Sequence, residues 1–408
     1  MKTFQVPTDY RSPLISAVKN KRRSEDKMKK DFSPSFLDFG TLHIYLARHF
    51  GFCYGVENAI DIAFRIVDEN PGKNIFLLSE MIHNPRVNQD LERRGIRFLQ
   101  DTRGKQLISF DTLQPEDIVI TPAFGTSLEI EALLKARGIQ TKDYNTTCPF
   151  VEKVWNRSSQ IAEKKFTVII HGKPDHEETR ATFSHASAAG PALVIRDLEE
   201  ARILSGFIKG EQRGLEFFER FGDRVSKGFN PAADLERIGV VNQTTMLAAE
   251  TQQIADFLKR AIQEKYERAP ENAADQFADT RDTLCYATND NQSAVSGLLL
   301  MPADLAIVVG GYNSSNTSHL VELCEAKLPT YFVEGPEKMI SDQEILHFDL
   351  HEAQEKITGH WLPSRRPLRV LMTSGASCPD AIVEAVVHKL CMLVPETRPA
   401  AELIQQFT

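Results

Sequence analysis

The stretch LAIVVGGYNSSNTSHL, residues 305–320, contains the pattern that decides the fold. Its first part, Leu305–Gly310, is an apolar run typical of a strand buried on both faces of a parallel sheet. A loop rich in Gly, Ser and Asn follows, and these residues favour turns and helix N-termini. Helical periodicity then extends over Ser318–Ala326. The pattern therefore predicts one strand, one polar loop and one helix in succession, the building block of an α/β fold.

The same succession recurs along the chain and predicts an α/β protein with small parallel sheets and covering helices. Further strands are predicted at Asn74–Ser79, Asp117–Thr121, Phe166–His171, Ile238–Asn242 and Leu368–Thr373. Further helices are predicted at Pro85–Arg94, Leu128–Arg137, Met246–Ile262 and Pro379–Leu390.

Composition restricts the class of protein. The chain has 408 residues, of which 42% are hydrophobic and 25% are charged, enough for two or three globular domains. The formal net charge of −8 disfavours nucleic acid as a partner. Because the sequence has no long uncharged apolar stretch and no signal sequence, we expect a cytoplasmic protein that does not span a membrane. Acidic residues within the Lys-rich first 40 residues argue against a transit peptide.

Three of the six cysteines lie in similar local sequences. GFCYGVENAI surrounds Cys53, TTCPFVEKVW surrounds Cys148 and TLCYATNDNQ surrounds Cys285, and each cysteine opens a helix-like stretch. The positive end of the helix dipole is expected to lower the pKa of such a thiol. The cysteines are 95 and 137 residues apart, which is about one α/β unit each. This spacing predicts three similar units that each present one cysteine to a common centre.

The predicted domain division follows these cysteines. Residues 1–40 form a polar N-terminal extension, and residues 41–147 form a first α/β unit. Residues 148–284 form a second unit, in which the Gly-rich and charged stretch 206–233 resembles an insertion without assigned chemistry. Residues 285–408 form the third unit and a C-terminal tail.

Polar side chains follow the predicted strands, at the edge where open α/β folds bind ligands. Hydroxyl, amide and imidazole groups beside helix N-termini suit a phosphate or a diphosphate. The sequence has neither a Walker loop nor a G-x-G-x-x-G fingerprint, so nucleotide binding is not supported. The candidate residues are His83, His176, Glu178, Thr244, Ser314, Ser315, Asn316 and Ser377.

These residues also have structural interpretations. GYNSSNTS is typical of a turn followed by a helix cap, and His83 suits a turn. Glu178 suits a first helical turn, where the dipole favours acids, but a buried carboxyl group is also a candidate proton source. Thr244 suits either an N-cap or a hydroxyl relay between that carboxyl group and a substrate. Cys324 and Cys391 lie in apolar helical runs and are expected in the core.

Together these motifs resemble the 4-hydroxy-3-methylbut-2-enyl diphosphate reductases, which catalyse the last step of the non-mevalonate isoprenoid route. The matching segments follow the family's order from about Gly51 to Asp380, roughly four-fifths of the chain. They are GFCYGVENAI, EMIHNP, TTCPFVEKV, HGKPDHEET, NQTTM, CYATNDNQ, GYNSSNTSHL and SGASCPD.

The resemblance implies reductive dehydroxylation of the allylic diphosphate to isopentenyl and dimethylallyl diphosphate. It implies a 4Fe-4S cluster on Cys53, Cys148 and Cys285, with one iron left for substrate, and three α/β units arranged pseudo-threefold around it. Glu178 matches the family's proton donor and Thr244 its partner near the substrate hydroxyl. The implied electron donor is ferredoxin or, less expected, flavodoxin. The family's diphosphate-binding positions match His83, His176, Ser314, Ser315, Asn316 and Ser377.

The sequence departs from the family in the loop after the second strand. Many bacterial members carry a diphosphate-contacting histidine there, whereas the sequence TPAFGTS places Phe124 at that position. This phenylalanine and the N-terminal extension resemble the cyanobacterial and plant branch. One diphosphate contact is therefore expected to be missing or replaced.

Two other functions are compatible with three isolated cysteines. A cluster-dependent hydro-lyase also leaves one iron open, but such enzymes usually take two ligands from a C-x-x-C pair, which this sequence lacks. A structural zinc module would use the same thiols, but structural zinc prefers a fourth protein ligand.

Overall fold

Strands of uninterrupted apolar residues organise the fold. The structure is a computed structural model that describes residues 4–212, 214–266, 276–278 and 283–407. The strands, in chain order, are β1 (Ser35–Asp38), β2 (Leu42–Leu46), β3 (Ile75–Leu77), β4 (Arg97–Phe98), β5 (Ile118–Ile120), β6 (Thr167–His171), β7 (Ala192–Ile195), β8 (Ile238–Asn242), β9 (Phe277–Ala278), β10 (Leu305–Val309), β11 (Thr330–Val333), β12 (Glu344–Asp349), β13 (Gln354–Gly359) and β14 (Leu368–Ser374).

Helices follow most of these strands. They are α1 (Pro13–Glu25), α2 (Tyr54–Glu69), α3 (Pro85–Arg93), α4 (Leu128–Ala136), α5 (Pro149–Glu163), α6 (Glu177–Ala189), α7 (Leu198–Lys209), α8 (Gly214–Phe221), α9 (Pro231–Asp234), α10 (Ala248–Lys265), α11 (Tyr286–Leu298), α12 (Ser315–Glu325), α13 (Asp380–Leu393) and α14 (Ala400–Phe407).

The chain divides into two compact units. Unit 1 contains residues 1–57, 83–87 and 286–408, and unit 2 contains residues 58–82 and 88–285. The domain boundaries that the sequence suggested near residues 40, 147 and 284 stay predictions.

Unit 1 is built on a five-stranded sheet with the strand order β1-β2-β14-β10-β11, and it also contains the antiparallel pair β12-β13. The strands β2, β14, β10 and β11 are parallel, and β1 adds an antiparallel edge. All five residues of β10 are buried, as expected for a central strand covered on both faces. Val309 lies opposite Ser374 in the register of β10 and β14. The loops that begin at residues 310 and 375 therefore leave the same edge of this sheet, and they carry Ser314 and Ser377.

Unit 2 contains two parallel sheets, β4-β3-β5 and β7-β6-β8-β9. Every residue of β6 and β8 is buried. His171 ends β6 opposite Asn242, which ends β8. The loops that carry Glu178 and Thr244 therefore start side by side.

The Gly-rich stretch 206–233 contributes to the core of unit 2. Phe217 and Phe221 are completely buried, and Phe217 stacks on Phe229 with ring centroids 5.4 Å apart. The stretch includes α8 and α9, and its aromatic rings pack with side chains of β7 and α7. We find no catalytic role for it, but its aromatic residues make it structural.

The N-terminal extension is also folded into its unit. Ser12 caps α1 by accepting a hydrogen bond from the Ile15 N–H at 2.9 Å. Leu14, Ile15 and Val18 are buried, and α1 packs against α13 and α14.

The prediction of an α/β fold with small parallel sheets is confirmed. Three of the four sheets contain parallel strands, and the fourth is the antiparallel pair β12-β13. The predicted strands and helices lie where the sequence placed them, within a few residues. The pseudo-threefold arrangement around a cluster stays a prediction. Within the described part of the chain, none of the helices combines the length and the apolar character needed to cross a bilayer.

Candidate active site

In unit 2, the predicted cysteine ligands are tied to strand-end loops. Cys148 is the N-cap of α5, and its N–H donates to the Ala123 carbonyl at 2.9 Å. Cys285 immediately precedes α11, and its N–H donates to the Thr244 carbonyl at 3.3 Å. These backbone bonds fix where each thiol lies relative to the loops after β5 and β8.

In unit 1, Cys53 has the same setting. Its N–H donates to the Ala376 carbonyl in the loop after β14, at 3.2 Å. Its carbonyl accepts from the Glu57 N–H at 2.9 Å and so begins the hydrogen bonding of α2. All three cysteines are thus half-buried thiols at helix N-termini, and none forms a disulfide.

The expectation that Cys148 has a lowered thiol pKa is wrong. Burial raises the pKa of the Cys148 thiol to about 11, because desolvation of the thiolate outweighs every other influence. The N–H groups of Phe150 and Val151 lower the pKa, as predicted, but the negative charges of Cys285 and Glu178 raise it further. This thiol is therefore neutral in the metal-free protein, and a metal that binds it displaces a proton.

The donor set, three half-buried free cysteines, is of the kind that holds an iron–sulfur cluster. The electrostatic effects on Cys148 show that Cys285 and Glu178 are its neighbours. Among the residues that the structure describes, no three His, Cys, Asp or Glu side chains have the spacing of one ion's ligands.

Glu178 and Thr244 form a closely bonded pair in unit 2. Glu178 lies in the first turn of α6 and is 1% exposed. Its Oε1 accepts from the Thr244 backbone N–H at 2.5 Å, and its Oε2 accepts from the Thr244 hydroxyl at 2.9 Å. Glu178 therefore both occupies the first turn of a helix and contacts Thr244, the two positions that the sequence offered as alternatives. Such a pair can pass a proton, since the hydroxyl both donates and accepts.

The tautomer of His176 follows from its hydrogen bond. His176 is the N-cap of α6, and its Nδ1 accepts from the Glu178 N–H at 3.2 Å. An accepting Nδ1 places the ring proton on Nε2, which is then a donor suited to an anion. Phe124 packs edge-to-face on this ring, with centroids 5.6 Å apart at 85°. Phe124 therefore holds the orientation of His176. A histidine at position 124, as in many bacterial members of the family, would add a hydrogen-bond donor instead.

In unit 1, the N-terminus of α12 combines capped and uncapped donors. The Ser314 hydroxyl accepts from the Thr317 N–H at 3.3 Å and from the Thr317 hydroxyl at 2.9 Å, as the helix-cap interpretation predicted. Ser315 Oγ and Asn316 Nδ2 are buried and have no hydrogen-bond partner among the described residues. Buried donors without partners are costly, and a ligand that supplies acceptors at this point would offset the cost.

The same edge of unit 1 brings His83 and Ser377 together. The Ser377 hydroxyl donates to the His83 carbonyl at 3.1 Å, and both residues are buried. Gly311 faces this carbonyl closely, since a Cβ on Gly311 would lie 2.6 Å from the His83 oxygen. The Asn316 Oδ1 accepts from the Ala376 N–H at 2.9 Å, which joins the loops after β10 and β14.

Two amide side chains in the quoted motifs were not predicted as site residues. The Gln243 Oε1 accepts from the Lys173 N–H at 3.1 Å and from the Thr179 hydroxyl at 3.0 Å, which fixes the loop before α6 against the loop after β8. Asn291 donates from Nδ2 to the Asn316 Oδ1 at 3.4 Å. Their position beside the predicted residues in NQTTM and CYATNDNQ was the available signal.

Each unit thus gathers part of the predicted set. Unit 2 brings together Cys148, Cys285, Glu178 and Thr244, with His176 at the N-cap of the helix that carries Glu178. Unit 1 brings together His83, Ser314, Ser315, Asn316 and Ser377, and Cys53 is bonded to the loop that carries Ser377.

Comparison with known proteins supports a single family. A family model described as LytB protein matches residues 44–391. A 4-hydroxy-3-methylbut-2-enyl diphosphate reductase of Gloeobacter violaceus is 41% identical over 86% of this chain and 83% of its own length. A reductase of the same name from Prochlorococcus marinus is 41% identical over 95% of this chain and 90% of its own. These relatives agree with the predicted cyanobacterial branch.

Solved structures show the same fold. A structure of (E)-4-hydroxy-3-methyl-but-2-enyl diphosphate reductase, described as the terminal enzyme of the non-mevalonate pathway, aligns with a TM-score of 0.50 and 24% identity, over 86% of this chain and 99% of that one. The Plasmodium falciparum E-1-hydroxy-2-methyl-but-2-enyl-4-diphosphate reductase aligns with a TM-score of 0.61 and 20% identity, over 86% and 88%. From the family match and the identity of its relatives, the chain belongs to the LytB protein family.

Proposed function

We infer that this protein is an oxidoreductase that removes the hydroxyl group of (E)-4-hydroxy-3-methylbut-2-enyl diphosphate and forms isopentenyl and dimethylallyl diphosphate. Two electrons and two protons enter, the C–O bond breaks and water leaves. The Glu178–Thr244 pair beside Cys148, in a chain of this family, is the observation that carries the inference. We expect the reaction to take place in the cytoplasm.

We propose that Cys53, Cys148 and Cys285 hold a 4Fe-4S cluster. When bound, such a cluster supplies electrons one at a time and a Lewis-acidic iron for the hydroxyl oxygen. Backbone bonds to Ala123, Thr244 and Ala376 hold the three cysteines in place before metal binds. The electron donor is proposed to be ferredoxin, with flavodoxin as the alternative carrier.

The diphosphate is proposed to bind the donors at the N-terminus of α12 and the imidazoles. Ser315 Oγ and Asn316 Nδ2 gain the acceptors that they lack among the described residues. The Ser314 hydroxyl accepts twice from Thr317, so its own proton is available for a phosphate oxygen. His176 contributes its Nε2 proton. Ser377 bonds the His83 carbonyl, so its hydroxyl must rotate to bind phosphate, or else it positions His83.

The proton for the leaving hydroxyl is proposed to come from Glu178 through Thr244. Hydroxide is a poor leaving group, so a general acid must protonate it as the C–O bond breaks. When Glu178 is protonated, it donates to the Thr244 Oγ, whose own proton then turns to the substrate oxygen. An arrangement in which Thr244 donates to Glu178 is the one expected after that transfer. Burial of Glu178 limits proton exchange with bulk water.

The decisive test is anaerobic turnover of the hydroxylated diphosphate with reduced methyl viologen, followed by product analysis. The proposal expects isopentenyl and dimethylallyl diphosphate as products. A preparation that carries a cluster but yields only hydrated or isomerised diphosphate contradicts the assignment and favours a hydro-lyase.

A further inference from the structure

The Lys-rich part of the N-terminal extension has no role in the reaction described above. Residues 19–30, here called the basic segment, contain seven Lys or Arg and two acidic residues, a net charge of +5 in a protein of net charge −8. The segment spans the end of α1 and the turn after it. Because charges of one sign in a confined surface steer oppositely charged partners, the basic segment favours an acidic partner.

The acids of this region do not neutralise the basic segment. Asp26 lies 3.8 Å from an Arg48 nitrogen, and Asp31 lies 3.0 Å from an Arg22 nitrogen. These two ion pairs fold the turn, and they leave Lys27 and Lys30 exposed without an ion pair among the described residues. The helix that presents the segment is fixed to its unit by the buried face of α1 and by the Lys19–Asp380 bond of 2.7 Å.

The basic segment lies against an aromatic surface. The Lys29 ammonium is 5.7 Å from the centroid of the Tyr286 ring and 3.8 Å from an Asp290 oxygen. Tyr286 and Tyr54 are 38% and 37% exposed, and Met28 is 73% exposed. Exposed aromatic and methionine side chains next to cations are typical of the centre of a protein interface.

This aromatic surface is connected to a proposed cluster ligand. The Tyr54 N–H donates to the Tyr286 hydroxyl at 3.3 Å, and that nitrogen is bonded directly to the carbonyl carbon of Cys53. Tyr54 is therefore an exposed residue next to Cys53 in the chain, and Tyr286 is hydrogen-bonded to it. The rate of electron transfer falls steeply with distance. A redox partner therefore transfers electrons fastest when it docks where a cluster ligand lies near the surface.

We propose that the basic segment, with Tyr54 and Tyr286, is the docking surface for an acidic ferredoxin. The proposal rests on the function inferred above, because the electron is delivered to the centre that Cys53 helps to hold. Each docked ferredoxin is oxidised by one electron. Two encounters supply the two electrons that, with two protons, break the C–O bond and release water.

Charge reversal at the basic segment tests the surface by binding. The variant Lys27→Glu/Lys29→Glu/Lys30→Glu is compared with Lys73→Glu/Lys227→Glu/Lys259→Glu, which changes the net charge equally at exposed lysines of unit 2. The Kd for oxidised ferredoxin is measured by calorimetry at low ionic strength, where charges are least screened. We expect the first triple variant to raise Kd by at least about tenfold and the control by less than about threefold.

Cross-linking and turnover complete the test. Carbodiimide should join ferredoxin carboxylates to Lys27, Lys29 or Lys30, and both triple variants should keep wild-type turnover with reduced methyl viologen. The docking surface is refuted if the two triples change Kd equally, if cross-links map to other lysines, or if flavodoxin binds here and ferredoxin does not. If the wild-type protein does not turn over with methyl viologen, the proposed reaction is refuted instead. The Kd values and the cross-links then still test the docking surface.

Discussion

The substitution Glu178→Gln isolates the proton that Glu178 is proposed to supply. In the structure, one oxygen of Glu178 accepts from the Thr244 N–H and the other accepts from the Thr244 hydroxyl. Glutamine keeps an oxygen for the N–H, and its amide nitrogen can donate to the hydroxyl oxygen. Both hydrogen bonds can therefore persist, so we expect stability to change by less than about 1 kcal/mol. The amide, however, has no acidic proton to give.

The expected effect is on kcat. General acid catalysis contributes about 100- to 10,000-fold, so Glu178→Gln should lower kcat by that factor, or about 3–5 kcal/mol in activation free energy. The assay is anaerobic turnover with reduced methyl viologen. Cluster absorbance is recorded in the same sample, to show that the loss is not a loss of metal.

Neighbouring variants provide controls. Glu177→Gln changes the adjacent glutamate of the same helical turn and should keep kcat within about threefold, because Glu177 interacts with Arg180 rather than with Thr244. Thr244→Val removes the hydroxyl but keeps the backbone N–H, and should lower kcat as Glu178→Gln does, whereas Thr244→Ser should restore most of it. If Glu178→Gln retained a third or more of wild-type kcat with its cluster intact, the proposed proton route would be wrong.

Three further outcomes follow from named contacts. Asn316→Asp replaces the buried Nδ2 donor by an acceptor and should raise KM by at least about tenfold, since a lost charge-assisted hydrogen bond is worth about 1.5–3 kcal/mol; an unchanged KM would remove Asn316 from the diphosphate site. Phe124→Leu removes the edge-to-face contact that orients His176 and should raise KM several-fold with kcat little changed. A several-fold fall in kcat with KM unchanged would contradict a role in substrate binding. Burial lowers the pKa of His49 to about 4, so the unfolded chain takes up a proton first as pH falls. The free energy of unfolding should therefore decline from about pH 6.5 towards pH 4. His49→Gln should flatten that decline in thermal unfolding, while the exposed His360→Gln should not.

Much of the scaffold could be predicted because its signals are local. The apolar run at residues 238–242 and the one at 305–309 form buried parallel strands, as their composition indicates. Glu178 and Thr244 were predicted as partners from the family resemblance, and parallel pairing of β6 with β8 explains why two residues 66 positions apart meet. The helix after β10 begins at Ser315, earlier than its periodicity indicated, because Ser314 caps it.

Other features depend on tertiary structure and left no local signal. The raised pKa of Cys148 results from desolvation when the thiol is buried in the folded chain, whereas the sequence shows only the helix N-terminus. Phe217, Phe221 and Phe229 lie in a Gly-rich, charged stretch without regular periodicity, so their burial could not be predicted. The contact of Phe124 with His176 joins loops from two different sheets.

The central claim is that Cys53, Cys148 and Cys285 hold one cluster, and metal analysis of single-cysteine variants tests it directly. Anaerobically purified protein should contain about four iron and four sulfide per chain. Each of Cys53→Ser, Cys148→Ser and Cys285→Ser should lose most of both, and the control Cys391→Ser should keep them. Stoichiometric zinc with a colourless wild type, or iron and sulfide contents that survive Cys148→Ser unchanged, would contradict the account.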